Sequence, residues 1–473
     1  MIGMAGIVFA LVLLIALAYR GVSVLVLAPL CALLAVLFSP DAPLFASYTQ
    51  VFMKALGGFV IAFFPLFLLG AVFGKLMEAS GAALAIAQAI VRWLGAQQAV
   101  LAIVGACAVL TYGGVSLFVV AFAVFPIAAA LFRAAQIPKR LIPATIALGA
   151  FTFTMTALPG TPAIQNAIPM PFFGTTPFAA PGLGLIGGAV MLGFGWWWLI
   201  RRAAAARRAG EGYGAEDAAP LQPDAAAPQA PSSMPFGMAI APVVLVIALN
   251  YLLATWLWPA LDTSYLADAR FGATSVQAVR GIWAVIGALS AAIVLLAVLW
   301  WLAQRARRDQ GIGLRAALEE GAGASVMPLM NTASQVGFGA VIASLAGFAL
   351  IRDAVLGIAP GNPLVSMSIA INILAGITGS ASGGMSIALQ TLGATWLEMG
   401  GAAGIAPDLL HRVTAIATGG LDALPHNGAV ITLLGICKLT HRQSYLDIFV
   451  VAVAVPVLAL VCVVTLGSFF GSF

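Results

Sequence analysis

The chain has 473 residues, 62% of them hydrophobic and 8% charged, with a mean hydropathy of +1.08. A soluble domain carries about a quarter charged residues, so this composition excludes a soluble globular protein and points to a membrane protein. The formal net charge of +5 implies no nucleic-acid partner, because the basic residues are sorted by membrane topology.

Apolar runs of 17–25 residues recur from end to end, each long enough to cross about 30 Å of hydrocarbon. The first, Ile2 to Ala18, has no upstream basic region and no cleavage site, so a retained helix is expected rather than a signal peptide. Spans follow at 3–19, 22–38, 55–77, 141–170 and 183–200, the fourth of them broken. The weakly amphipathic stretch 81–94, with Gln88 and Arg92, is expected along the interface. The run 98–132 is too long for one helix and has Thr111-Tyr-Gly-Gly-Val-Ser116 at its centre, so it predicts a re-entrant helical hairpin.

Arg201-Arg-Ala-Ala-Ala-Ala-Arg-Arg208 opens a stretch rich in Ala, Pro, Gly and acidic residues that is expected to form a flexible cytoplasmic linker over 201–235. The second half then repeats the order of the first: 236–258, 281–304, 325–350, a hairpin at 363–398, a broken helix at 411–437, and 445–468. Gly113-Gly-Val-Ser-Leu117 matches Gly383-Gly-Met-Ser-Ile387, Ala157-Leu-Pro159 matches Ala423-Leu-Pro425, and Phe64-Pro-Leu66 is echoed by Met327-Pro-Leu329. Matches in the same order imply a duplication, with repeats at 1–200 and 236–473. If each hairpin leaves on the side it entered, each half crosses five times. An odd number inverts the second repeat. Placing the linker in the cytoplasm puts 16 of the 21 basic residues inside and 5 (Lys54, Arg270, Arg280, Arg352 and Arg412) outside, which agrees with the positive-inside rule. Both termini are then expected outside.

The two breaks, Thr156-Ala-Leu-Pro-Gly-Thr-Pro-Ala-Ile-Gln-Asn166 and Leu421-Asp-Ala-Leu-Pro-His-Asn-Gly-Ala429, carry the functional argument. Unwound backbone at membrane depth is tolerated only where it is buried in protein or lines a watery cavity, and paired breaks point to a transporter's binding site. Hairpin tips and breaks are expected to converge near the midplane, where free N–H groups and hydroxyls suit a carboxylate. The candidate substrate-binding residues are Thr111, Gly113, Gly114, Ser116, Ser380, Ser382, Gly383, Gly384 and Ser386 from the tips, with Thr161, Gln165, Asn166 and Asn427 from the breaks. For any single Ser or Thr the competing reading is interhelical hydrogen bonding.

Asp422 and His426 are the ionisable pair of the second break, and intramembrane ionisable groups are functional candidates by default. Either could carry a coupled proton. Alternatively, Asp422 caps the restarting half-helix and His426 is a satisfied polar group. Asn331 and Thr332, within Asn331-Thr-Ala-Ser-Gln335, are candidates for cavity lining or for helix–helix hydrogen bonding. Arg412 is expected only to guard an outer mouth, leaving no intramembrane arginine for the substrate. Cys31, Cys107, Cys437 and Cys462 form no CxxC and are expected as small buried hydrophobes.

At Thr156–Asn166, Gly379-Ser-Ala-Ser-Gly-Gly-Met385, Leu421-Asp-Ala-Leu-Pro-His-Asn427 and Tyr112-Gly-Gly-Val-Ser-Leu-Phe118, the chain resembles the GntP family of gluconate and hydroxy-acid permeases within the ion-transporter superfamily. The resemblance covers essentially the whole chain and looks closest to members described as D-β-hydroxybutyrate permeases. It implies proton-coupled uptake of a small hydroxylated monocarboxylate across a bacterial inner membrane and, by analogy with the superfamily, an elevator-type homodimer. No cofactor is expected beyond the transported H⁺ or Na⁺.

The fold expected is therefore an all-α polytopic membrane protein of two inverted-topology repeats, each with a re-entrant hairpin and a broken helix. A Na⁺-coupled carboxylate symporter or a Na⁺/H⁺ exchanger of the same superfamily is the nearest alternative. The exchanger would favour paired acidic residues, whereas the breaks hold one Asp. A membrane-embedded enzyme is the alternative from another class. The chain has no HExxH, and His411, His426 and His441 have no companion ligands. A channel would show a symmetric pore segment or charged ring and has no need of inverted broken helices.

Overall fold

A computed structural model describes residues 2–20, 22–40, 42–214, 234–307, 313–359 and 361–473. Most of the expected linker, 215–233, lies outside them. Among the described residues all regular structure is helical. Seven helices are long and apolar enough to cross a membrane, or eight if the pair Ala82–Leu94 and Ala96–Tyr112, bent by 103°, is counted as one span.

Each half is built in the same order. The first has Ile2–Tyr19, Val24–Leu37, the long central helix Met53–Ala79, and Ala82–Leu94. A hairpin of Ala99–Tyr112 and Leu117–Ala134, a broken span from Ile142 to Phe173, and Pro181–Arg208 complete it. The second has Phe236–Leu252, Val276–Arg307, the central helix Leu314–Ser344, and Phe348–Leu356. Its hairpin is Pro363–Thr378 with Ala381–Ala402, its broken span Pro407–Ala417 with Gly428–Cys437, and its last helix is Val455–Phe470. Several boundaries differ from the sequence reading, among them the span expected at 325–350, which is Leu314–Ser344 followed by the separate helix Phe348–Leu356. Val24–Leu37 has only 14 residues because Ser23 is extended ahead of it. Pro181–Arg208 continues through the basic cluster read as linker, since the alanines of 203–206 favour helix.

The packing repeats with the halves exchanged. Val24–Leu37 lies on the second central helix and Val276–Arg307 on the first, and the two central helices pack together. Each first hairpin arm packs on the first segment of its own half's broken span. Each second arm packs on the other half's restarted segment: Leu117–Ala134 on Gly428–Cys437, and Ala381–Ala402 on Ile164–Phe173. The last helices of the two halves meet as well. These relations recur in both halves, and the halves interlock rather than sit side by side.

Local chemistry sets the turns. Gly379 takes φ +60° at the end of the arm Pro363–Thr378, in the left-handed region that glycine alone adopts freely. Ser380 then caps the next arm by accepting from the Gly383 N–H at 3.1 Å. Pro363, Pro407 and Pro181 occupy first-turn positions, where a missing N–H costs nothing. Gly384 lets the two arms touch, since a Cβ there would meet the backbone of Ala375.

At the linker-side end, Asp447 is buried and accepts from Arg202 at 2.8 Å, Arg140 at 3.2 Å and the Trp198 indole at 3.0 Å. Two guanidiniums and an indole offset the desolvation of that carboxylate and tie Pro181–Arg208 and the helix His441–Phe449 to residues 139–141. Arg140 also grips Glu211 in a two-bonded pair of 2.7 and 2.9 Å, whose hydrogen bonds hold the Glu211 carboxyl below its usual range.

Candidate functional site

The first break runs from Ala157 to Ala163. Its carbonyls, which a continuous helix would satisfy internally, are met by side chains from three other elements. Tyr112 donates to the Pro159 oxygen at 2.6 Å, Asn250 to Gly160 at 3.0 Å, and Asn166 to Thr161 at 3.0 Å. Arg412 donates to Thr156 at 3.1 Å, to Pro177 at 3.3 Å, and to Ala179 at 2.8 and 3.0 Å. An unsatisfied backbone group in hydrocarbon costs several kcal/mol, so these side chains are what make the unwinding tolerable.

The second break, 418–427, is held by the same logic. Asn427 donates to the Asp422 oxygen at 2.6 Å and Tyr445 to Ala423 at 3.1 Å, while His441 Nε2 lies 2.8 Å from the Pro425 oxygen. Asn372, from the hairpin arm, accepts from the Leu421 N–H at 3.2 Å. Asn166 and Asn427 are structural equivalents: each closes a loop onto the carbonyl five residues earlier. The Ala-Leu-Pro triplets seen in the sequence fall at different places in the two loops, because the first break has extra residues between proline and asparagine.

Arg412 corrects the reading of that residue as an outer guard. It is 0% exposed, and its donors also reach Asn166 Oδ1 at 3.1 Å. His411, equally buried, lies 3.2 Å from the same oxygen through Nε2 and 2.6 Å from Thr175 Oγ1 through Nδ1. Because the Asn166 amide nitrogen donates to Thr161 and, at 2.9 Å, to Pro177, its oxygen must accept. The hydrogen-bond pattern therefore puts the proton of a neutral His411 on Nε2.

Each tip docks on its own half's break. At the first, Tyr112 bonds Pro159, Gly114 lies against Pro162, and Ser116 approaches the central helix where Gly74 leaves room. At the second, the His426 ring and the Asn427 backbone pack on Gly379, whose oxygen accepts from the Asn427 amide at 2.9 Å. Ser382 lies 3.2 Å from Thr332 Oγ1 and 3.4 Å from Ser380 Oγ, and Gln335 sits directly against Gly383. The breaks meet where Gly419 approaches Thr156. Among the described residues no hydrogen bond joins the two tips, and each tip forms a half-site with its own break.

Within these half-sites, Asn166 and Asn427 have their donors and acceptors engaged by protein, Asn427 also accepting from Ala429 and Val430 at 2.6 and 3.2 Å. They fasten the breaks, a correction to their expected contact with substrate. Asn331 is likewise corrected from cavity lining: its oxygen accepts from the Leu25 N–H at 3.2 Å, and Ser334 donates to the Leu25 oxygen. Thr332 does face the second tip. Among the described residues, the buried polar atoms without a protein partner include Thr111 Oγ1 and Ser386 Oγ, hydroxyls able to donate, and the amide acceptors Gln165 Oε1, Gln335 Oε1 and Asn250 Oδ1. Asp422 is half-buried and no cation pairs with it among the described residues. The supporting residues Asn250, Asn372, Tyr112 and Tyr445 were not legible in advance; the one signal was a polar side chain inside an otherwise apolar run.

Interlocked repeats, helical hairpins and paired unwound spans define a polytopic membrane transporter. No family model matches the chain. It is 45% identical over 453 residues, 94% of each chain, to the "Uncharacterized transporter YxjC" of Bacillus subtilis (strain 168), and it belongs to that transporter family. Its fold is similar to that of the YdaH transporter of Alcanivorax borkumensis, whose crystal structure reveals an unusual topology. The TM-score is 0.58 over 99% of this chain and 98% of that one, at 16% identity.

Proposed function

We propose that the chain is a secondary active transporter that takes up a small hydroxylated monocarboxylate, of 3-hydroxybutyrate or gluconate type, by proton symport, as the resemblance to GntP permeases implies. The observation that carries this reading is the set of buried polar atoms left without partners beside the tips and the first break. Thr111 and Ser386 offer hydroxyl donors suited to a carboxylate, and Gln165 and Gln335 offer oxygens suited to a substrate hydroxyl. Ser382 and Thr332, which bond each other, stand at the same tip as Gln335.

Two features favour a proton over sodium as the coupling ion. The break carbonyls that would ligate Na⁺ already accept from Tyr112, Asn250, Asn166, Asn427, Tyr445 and His441. Asp422 stands in the second break without a cation, so protonation neutralises it when the loaded site crosses. The transporter would act in a bacterial inner membrane as a homodimer, with the linker inside and both termini outside.

Counterflow tests the substrate class. Proteoliposomes preloaded with unlabelled 3-hydroxybutyrate should take up the labelled acid without any ion gradient. External lactate should compete, and citrate, a tricarboxylate, should not. Counterflow blocked by citrate alone would contradict the monocarboxylate reading.

A further inference from the structure

A cavity of about 520 Å³ lies between the central helix Met53–Ala79, the helix Leu314–Ser344, the second hairpin arm Ala381–Ala402 and the end of the first broken span. That volume is in the range of small-molecule sites, roughly 300–1,000 Å³. Its polar lining is short: Lys54, Gln50, Gln390 and Ser386. Phe59, Phe63 and Phe172 are the large side chains of an otherwise aliphatic wall, and no acidic residue faces it.

Three observations mark this as a built site. Ser386 is 2% exposed, and its Oγ has no protein partner although it lines the cavity. Lys54, exposed at the open side of the cavity, makes no ion pair among the described residues, so its ammonium is available to an anion there. Residues 47–52 form a wide π-helical turn that carries Gln50 onto the cavity wall with Lys54, one turn further along the same helix. Such turns persist where a side chain must be placed off the regular helical register.

We propose that this cavity binds a short-chain hydroxy-monocarboxylate, with Lys54 as the countercharge for the carboxylate and Ser386 as a hydrogen-bond partner from the second hairpin arm. The inference rests on the carboxylate-transport reading and deepens it. The ligand spans a residue of a central helix and a residue of the hairpin, so its occupancy couples the two. A hydrocarbon tail packs on the phenylalanines. A polyol acid such as gluconate brings five hydroxyls against the phenylalanine face, where no polar side chain meets them. The site therefore selects 3-hydroxybutyrate-like acids against gluconate-like ones.

The test is isothermal titration of 3-hydroxybutyrate and of gluconate into the purified full-length protein in zwitterionic nanodiscs. The expected result is gluconate binding at least about thirtyfold weaker than 3-hydroxybutyrate. Lys54→Gln should raise Kd about tenfold and Lys54→Arg should stay within about threefold, while added salt weakens wild-type binding. Ser386→Ala should weaken binding as well. A Lys54→Gln variant that binds like wild type, or gluconate bound as tightly, overturns the proposal. So does native mass spectrometry showing an anionic lipid that leaves with Lys54→Gln while the acid does not bind. Lys54-dependent binding without gradient-driven uptake would sink the transport reading and leave the cavity standing. Uptake that ignores Lys54→Gln would do the reverse.

Discussion

The guanidinium of Arg412 donates to the side-chain oxygen of Asn166 over 3.1 Å, although the two are 246 residues apart. One bond thereby joins the start of the second broken span to the restart of the first. The first break is thus held in part by side chains of the second repeat, Arg412 and Asn250, whereas the second break is held by side chains of its own half.

Replacing Arg412 should be among the most destabilising single changes in the chain. Arg412→Ala takes the guanidinium from the Thr156 and Ala179 carbonyls and one of two partners from the Pro177 and Asn166 oxygens in a buried setting, a loss of about 3–5 kcal/mol by analogy with broken buried charge networks. Arg412→Lys keeps the charge but not the planar fork, and should recover only part of it. Thermal unfolding of the detergent-purified variants, followed by size-exclusion chromatography, measures both.

Asn427 has two separable roles. Its oxygen caps Gly428–Cys437, and its amide holds the Gly379 and Asp422 oxygens. Asn427→Ala loses both and should cost at least the ~1–2 kcal/mol of a lost cap. Asn427→Asp keeps an acceptor for the helix start but cannot donate, so the tip should loosen while the helix stays capped. A cysteine at Ser382 should then react faster with a thiol reagent in the Asp variant than in wild type. Equal rates would show that the amide does not pin the tip.

The Arg140–Glu211 pair gives a pH dependence of known sign. Glu211 titrates lower when folded than unfolded, so its stabilisation is present above the ordinary glutamate range and disappears as pH falls through the lowered value. The pair is partly exposed, so the effect is at most about 1 kcal/mol. Wild type should exceed Glu211→Gln slightly in Tm at pH 7, and the two should coincide near pH 3. A gap that widened on acidification would reverse the assignment.

The crossings, hairpins and breaks were legible because each leaves a local mark: a long apolar run, a Gly-Gly pair, or a Pro-Gly cluster inside hydrophobic sequence. The helical membrane fold follows from those marks. What fastens the breaks was not legible, because Tyr112, Asn250, Asn372 and Arg412 act across separations of 47 to 256 residues that no local pattern marks. Arg412 misled for a physical reason. An arginine near the start of a span is expected to reach for water, and here the unwound carbonyls beside it take the place of water. Asn166 and Asn427 misled in the opposite sense, as polar groups in a break that proved to be holding it together. Lys54 was read only as an outside charge, since nothing in the sequence shows that a cavity opens beside it.

The central claim is proton-driven carboxylate transport, and the most direct test is accumulation of radiolabelled 3-hydroxybutyrate in proteoliposomes under an inward proton gradient without sodium. Wild type should concentrate the acid and lose it when an uncoupler is added. Asp422→Asn should fail to accumulate while still exchanging label with internal substrate. Accumulation that appears only when sodium is supplied, or that survives in Asp422→Asn, would contradict the claim.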